Sequence, residues 1–156
     1  MYKDNVSSNF LSVTAEPVKF SANFIFVLEE SAGIGLTNFA LMKLFVSKLV
    51  GRLDIDSGNI NVSLITFSSS VTEHFSLSTF SSVASVQSAI LSLSYSLDSG
   101  NLTDTAAALS HVRMMLTSAG ARMDVPNIVI LLTIGRSIDK AATMVSIQYV
   151  SSVLIC

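Results

Sequence analysis

Cysteine occurs once in this chain of 156 residues, at the last position. A single thiol can close no internal disulfide and build no cysteine-based metal site, so Cys156 reads as an ordinary unpaired thiol and the redox compartment stays open. Charge is also sparse: 13% of residues are Asp, Glu, Lys or Arg and the net charge is -2. Neither the amount nor the sign draws the chain to nucleic acid or to an anionic membrane. Apolar residues never run to the roughly 18 that a spanning helix needs; the run Ile128 to Leu132 has the length of a strand. The start, Met1-Tyr-Lys-Asp-Asn-Val-Ser-Ser8, lacks a charged segment followed by an apolar one, so no signal peptide is visible. Repeats are absent, and the serine-rich loops contain no tract long enough for a disordered linker.

Hydrophobic residues, by contrast, make up 50% of the chain and the mean hydropathy is +0.62. At this length they fill one domain core and favour central strands covered on both faces. Residues 1 to 20 are polar and irregular, forming a leader or short strand, and the domain proper is expected over 21–156. Phe24 to Leu28 is a continuous apolar run suited to a central strand. Phe39, Met42, Val46, Leu49 and Leu53 then recur at helical spacing, and Leu41, Leu44, Phe45 and Val50 widen the stripe, which predicts a largely buried helix. A turn over Asp54 to Asn59 leads to a β-branched strand, Ile60 to Phe67, and a short edge strand over Val71 to Leu77. Val83, Val86, Ile90 and Leu93 mark another helix. A loop over Ser94 to Asp104 follows, then a helix striped by Ala108, Leu109, Val112, Met115, Leu116 and Ala119, with Thr103, Asp104 and Thr105 available to cap it. Pro126 to Thr133 is a second buried strand, and a helix starts at Asp139. Strands alternating with helices predict a doubly wound, Rossmann-like α/β fold: a mostly parallel sheet with helices on both faces.

The segment Phe24-Ile-Phe-Val-Leu-Glu-Glu-Ser-Ala-Gly-Ile-Gly35 carries the functional signal. It runs from a buried strand into acidic and hydroxyl residues, then through glycines into a helix. Ligands of open α/β sheets bind at such carboxyl ends of strands, so an acid and a serine there suggest an oxygen-lined ion site. Other chemistries fit less well. Gly33-Ile-Gly35 lacks the third glycine of a dinucleotide loop, and Glu29 and Glu30 would repel a pyrophosphate. Glu29-x-Ser31-x-Gly33 lacks the first glycine of a hydrolase nucleophile elbow, and neither possible base, His74 nor His111, lies in a motif; His111 reads as a partly exposed surface residue. Asp54-Ile-Asp-Ser-Gly-Asn59 resembles a calcium loop, but its glycine comes one position early and Ile65 stands where the closing glutamate belongs, so it reads as a plain turn. Lys43, Lys48 and Arg52 read as a solvated helix edge.

Three segments in order, Phe26-Val-Leu-Glu-Glu-Ser-Ala-Gly-Ile-Gly35, Gly100-Asn-Leu-Thr-Asp-Thr-Ala-Ala-Ala-Leu109 and Pro126-Asn-Ile-Val-Ile-Leu-Leu-Thr-Ile-Gly-Arg-Ser137, together resemble a von Willebrand factor type A domain. Val62-Ser-Leu-Ile-Thr-Phe-Ser68 fits the second strand of that family, and the likeness spans about residues 22–143. The resemblance implies a metal-ion-dependent adhesion site built by three loops: an acid and two hydroxyls from the first, a threonine from the second and an aspartate from the third. A hard cation such as Mg²⁺ demands oxygen ligands at near-octahedral geometry. Carried over, Glu29 stands for the aspartate, with a carboxylate displaced by roughly 1.5 Å, while Ser31 and Thr103 match. Gly33 replaces the second hydroxyl and Ile134 replaces the last aspartate. With ligands lost at Gly33 and Ile134, Mg²⁺ is disfavoured and no other cofactor is implied.

The family pattern continues through a last strand and helix, whereas residues 148–156 supply only a short strand, so the resemblance implies a truncated end. It also implies a non-enzymatic domain of adhesion or extracellular-matrix type that binds a protein ligand such as a matrix component, without metal. A structural or non-functional fragment of a larger protein is the alternative, and an Mg²⁺-dependent adhesion domain with an atypical site is a further one. The contact face would comprise Glu30, Ala32, Asn101, Asp104 and Arg136 on loops Glu29–Gly35, Asn101–Thr105 and Thr133–Ser137. Nucleic-acid binding and membrane insertion are not expected. Localisation would be extracellular, where three sequons, Asn5-Val-Ser7, Asn61-Val-Ser63 and Asn101-Leu-Thr103, become relevant; chance occurrence is their plain reading.

Overall fold

The computed structural model describes residues 20–96, 102–117, 121–134, 139 and 152–155. The polar leader, the helix expected from Asp139, and most of the third predicted loop lie outside the described residues. Strand β1 (Ala22–Glu29) is buried at every position. Its run of apolar side chains is explained by its place in a five-stranded sheet of order β3-β2-β1-β4-β5. β2 (Ile60–Phe67) and β4 (Asn127–Leu132) flank β1 in parallel, and β5 (Ser152–Ile155) extends the parallel part beyond β4. β3 (Val71–Phe75) pairs antiparallel at the other edge, with a register shift at Leu64/Ile65. Its exposed middle is what an edge strand permits and a central one does not.

Alternation along β1 separates two cores. Phe24, Phe26 and Leu28 pack with Phe39, Val46 and Val50 of helix α1 (Gly35–Val50) and Val86 and Ile90 of α2 (Val83–Ser92). Ile25 and Val27 meet Ala108, Leu109, Val112 and Met115 of α3 (Thr105–Leu116) on the opposite face. The predicted doubly wound arrangement is thus present, with helices on both faces and β3 as the antiparallel exception. Ser82 caps α2 by accepting from the Ser85 N–H, and Asp104 caps α3 by accepting from the Ala107 N–H.

Two expectations need correction. α1 is not largely buried: Leu41, Leu44 and Phe45 are 58%, 49% and 47% exposed. The sheet and α2 cover only the sides of α1 carrying Phe39, Val46 and Val50, and the added leucines fall outside them. α1 also ends at Val50, so Leu53 packs from the following turn. Lys43 does not belong to a solvated edge, because its ammonium donates to the carbonyls of Leu91 (3.1 Å) and Leu93 (2.6 Å) at the end of α2. The Asp54–Asn59 segment is a turn, as expected. Asn59 Nδ2 donates to Asp54 Oδ2 at 2.8 Å, and Asp56 Oδ1 accepts from the Val83 N–H at 3.0 Å.

At the amino end of the sheet, Arg122 ties the strands together by donating to the carbonyls of Gly58, Ala22 and Asn59. Buried Asn23 adds bonds to the Arg122 carbonyl and to Asn127 Oδ1. These contacts fix β1 against its neighbours at one pole and so set where the loops emerge at the other.

Candidate functional site

From β1 the chain leaves to β2 on one side and later returns to β4 on the other, so the carboxyl end of β1 lies at a topological switch point. Glu29 is the last residue of β1 and is fully buried. Its carboxyl group sits at the centre of three loops. Oε1 accepts from Ser31 Oγ at 2.5 Å and from Thr103 Oγ1 at 2.8 Å. Oε2 accepts from Thr133 Oγ1 at 2.5 Å and from the Ile134 backbone N–H at 3.0 Å. Each loop therefore spends a donor on the same side chain. Ser31 and Thr103 are themselves 3% and 6% exposed, so the cluster lies beneath the surface.

The loops are held from below. The Ser31 carbonyl accepts from the Ile34 N–H at 3.0 Å and from Tyr95 Oη at 2.8 Å, and the Tyr95 ring lies 5.4 Å from that of Phe39. Gly35 then adopts φ +72°, the left-handed conformation that admits the turn into α1. The second loop is pinned to β2 by the Asp104 N–H donating to the Ser68 carbonyl at 2.8 Å.

The structure brings Glu29, Ser31 and Thr103 together, as the motif implied. Gly33 lies at the same loop, where an added Cβ would meet Ser31 Oγ at an ordinary 3.7 Å. Ile134 turns its side chain outward, 65% exposed, but contributes through its backbone. That backbone bond and the Thr133 hydroxyl escaped the sequence reading, which weighed Ile134 only as a lost carboxylate. The hydroxyl beside it was the available signal. Of the anticipated contact face, Ala32 is exposed, whereas Asp104 spends its carboxylate on the α3 cap. Asn101 and Arg136 lie outside the described residues.

Glu30 is half-buried and shares a hydrogen bond with Thr66; burial raises its pKa, and the Thr66 bond partly offsets this. Thr66 also bonds His74 Nε2 at 2.8 Å, and burial lowers the pKa of His74. Glu30 thus leans onto β2 instead of facing outward. His111 pairs with Glu73 at 3.0 Å on the α3 surface, in keeping with the partly exposed position expected of it.

Three hydroxyls and one backbone N–H meet the Glu29 carboxyl group. A divalent ion needs inward-facing oxygen lone pairs. Here the hydroxyls of Ser31, Thr103 and Thr133 donate to Glu29 while keeping lone pairs of their own, and the Ile134 N–H has none to offer. These groups converge on the protein's own Glu29 carboxyl group, which fills the space between the three loops.

An open α/β sheet with three loops gathered over its switch point defines a doubly wound α/β domain. The chain belongs to the von Willebrand factor type A domain family, whose model matches residues 23–155. It is 30% identical to human matrilin-1 over 119 residues, covering 76% of this chain and 24% of that protein. It is 33% identical to mouse von Willebrand factor A domain-containing protein 2 over 124 residues, 78% of this chain and 15% of that one. For the mouse collagen alpha-4(VI) chain the values are 32% identity, 76% and 5%. The chain thus spans less than a quarter of the length of these relatives. Matrilin and collagen VI are extracellular matrix proteins, and the extracellular localisation implied by the resemblance agrees with them.

Among solved structures, proximal thread matrix protein 1 from the mussel byssus superposes with a TM-score of 0.78 at 24% identity, covering 88% of this chain and 38% of that one. The manganese-loaded Plasmodium vivax TRAP protein gives 0.75 at 20%, covering 88% and 57%. These two likenesses establish the fold. A further structure of the mussel protein has zinc in its metal-ion-dependent adhesion site.

Proposed function

We propose that this domain binds a protein ligand of the extracellular matrix through its loop pole, without a metal ion and without catalysis. The observation that carries the reading is the Glu29 carboxyl group, which takes up the donors of all three loops where the family would hold a cation. Around this capped centre each loop region displays a large apolar side chain: Leu36 is 64% exposed, Leu102 53% and Ile134 65%. Loops on a rigid sheet are the usual carriers of recognition, and an apolar patch at their tips favours burial against a partner over coordination of its carboxylate.

Catalysis lacks its parts among the described residues. The Ser31 hydroxyl is buried and donates to Glu29, while His74 is bonded to Thr66 and His111 to Glu73. The two hydroxyls that meet a possible base, Ser31 beside Glu29 and Thr66 beside His74, are both buried away from any substrate. The test is adhesion of the purified chain to an immobilised extracellular-matrix extract. The expected result is equal binding in Mg²⁺ and in EDTA, with a drop of about tenfold or more for Leu102→Ser combined with Ile134→Asp. Binding abolished by EDTA would overturn the reading.

A further inference from the structure

We infer that Asn61 carries an N-linked glycan, placed at the pole of the sheet opposite the binding loops. The sequon Asn61-Val62-Ser63 lies within β2, and packing does not account for two of its side chains. Ser63 is fully buried, yet its hydroxyl has no hydrogen-bond partner. A buried orphan hydroxyl costs about 1–3 kcal/mol, and alanine would fill the same space without that cost. Fold stability therefore gives no reason for a hydroxyl at this position. An acceptor asparagine two residues earlier does give one, because glycosylation requires Ser or Thr there.

Asn61 itself offers the second anomaly. It stands in register with Asn23, which stands in register with Asn127, so three asparagines form a row across β2, β1 and β4. Asn23 donates to Asn127 Oδ1, but the row stops there. Asn23 Oδ1 is buried without a partner, and the Asn61 side chain enters no hydrogen bond among the described residues. The amide nitrogen that would be glycosylated is not used by the fold. It is also reachable: Asn61 is only partly buried, and β3 pairs with β2 only from Leu64 onward, which leaves the strand edge beside Asn61 uncovered by that neighbour.

Position gives the modification a consequence. Asn61 is at the start of β2, and Glu29 is in register with Phe67 at its end. At about 3.3 Å per residue the glycan would root roughly 20 Å from the capped centre. The sugar would shield the amino pole while leaving Leu36, Leu102 and Ile134 open to a partner.

The full chain, expressed behind a heterologous secretion leader in mammalian cells, tests this. Material from cells and medium is pooled, so that poor export does not obscure the result, then treated with peptide N-glycosidase in heavy-oxygen water and mapped by mass spectrometry. The expected result is heavy-oxygen incorporation at residue 61. That label is lost in Ser63→Ala, although Ser63→Ala made unglycosylated in bacteria melts at least as high as the parent. Recovery of residue 61 as unlabelled asparagine from the parent chain would overturn the inference, as would a label that persists in Ser63→Ala.

Discussion

Glu29 combines two roles that a sequence motif separates, since it is both the family's acid and the object its loops enclose. Replacing it with alanine leaves the Ser31, Thr103 and Thr133 hydroxyls and the Ile134 N–H without their acceptor in a buried place. Glu29→Ala should therefore cost about 3 kcal/mol or more in denaturant unfolding. Glu29→Gln keeps the shape but turns an amide toward donors, and should cost about 1–3 kcal/mol. A cation site would behave differently, because removing one carboxylate from it relieves repulsion in the metal-free protein. Next to this cluster, the lowered pKa of His74 favours its neutral form in the folded state. The stability it contributes is present above the ordinary value of 6.5 and is lost as pH falls through the folded value. Glu30 has the opposite sign: its raised pKa gives stability below 4.5 that is lost as pH rises through the folded value. His74→Asn should flatten the fall in Tm on acidification from neutral pH, and Glu30→Gln should raise Tm at neutral pH; melting curves across pH read both.

Among the elements, α1 shows where periodicity succeeds and where it misleads. Phe39 and Val46 were legible as part of its buried stripe because their spacing matches the helical repeat, and Val50, read only as widening that stripe, is buried with them. Leu41, Leu44 and Phe45 have the same hydrophobicity but lie where neither the sheet nor α2 reaches, and no local pattern encodes that limit. Phe39→Ala should cost about 3–5 kcal/mol, whereas Leu44→Glu should stay within about 0.5 kcal/mol, as measured by chemical unfolding. The strands were read more securely. β1 and β4 are short apolar runs bounded by turns, and β2 alternates β-branched residues, so their places follow from composition; the bounds of β2 match, while β1 extends past Phe24–Leu28 to Ala22–Glu29 and β4 is one residue shorter at each end than Pro126–Thr133.

For the whole molecule, alternating strands and helices were enough to predict the doubly wound sheet. The site needed more. Its location followed from the rule that ligands gather at the carboxyl ends of strands, but its chemistry depended on which atoms turn inward. Thr133 and the Ile134 N–H converge on Glu29 across more than a hundred residues of chain, and only the folded geometry shows that they do. The family pattern implies what would complete an ion site here: a shorter acid, a second hydroxyl and an acid on the third loop. Glu29→Asp, Gly33→Ser and Ile134→Asp combined should confer Mn²⁺ binding, and the Gly33 change has room, with an added Cβ no closer than 3.7 Å to a neighbour. Calorimetric titration of the unaltered chain with Mn²⁺ and Mg²⁺ tests the central claim most directly. The account predicts no saturable heat up to millimolar ion, and a dissociation constant tighter than about 1 mM would contradict it.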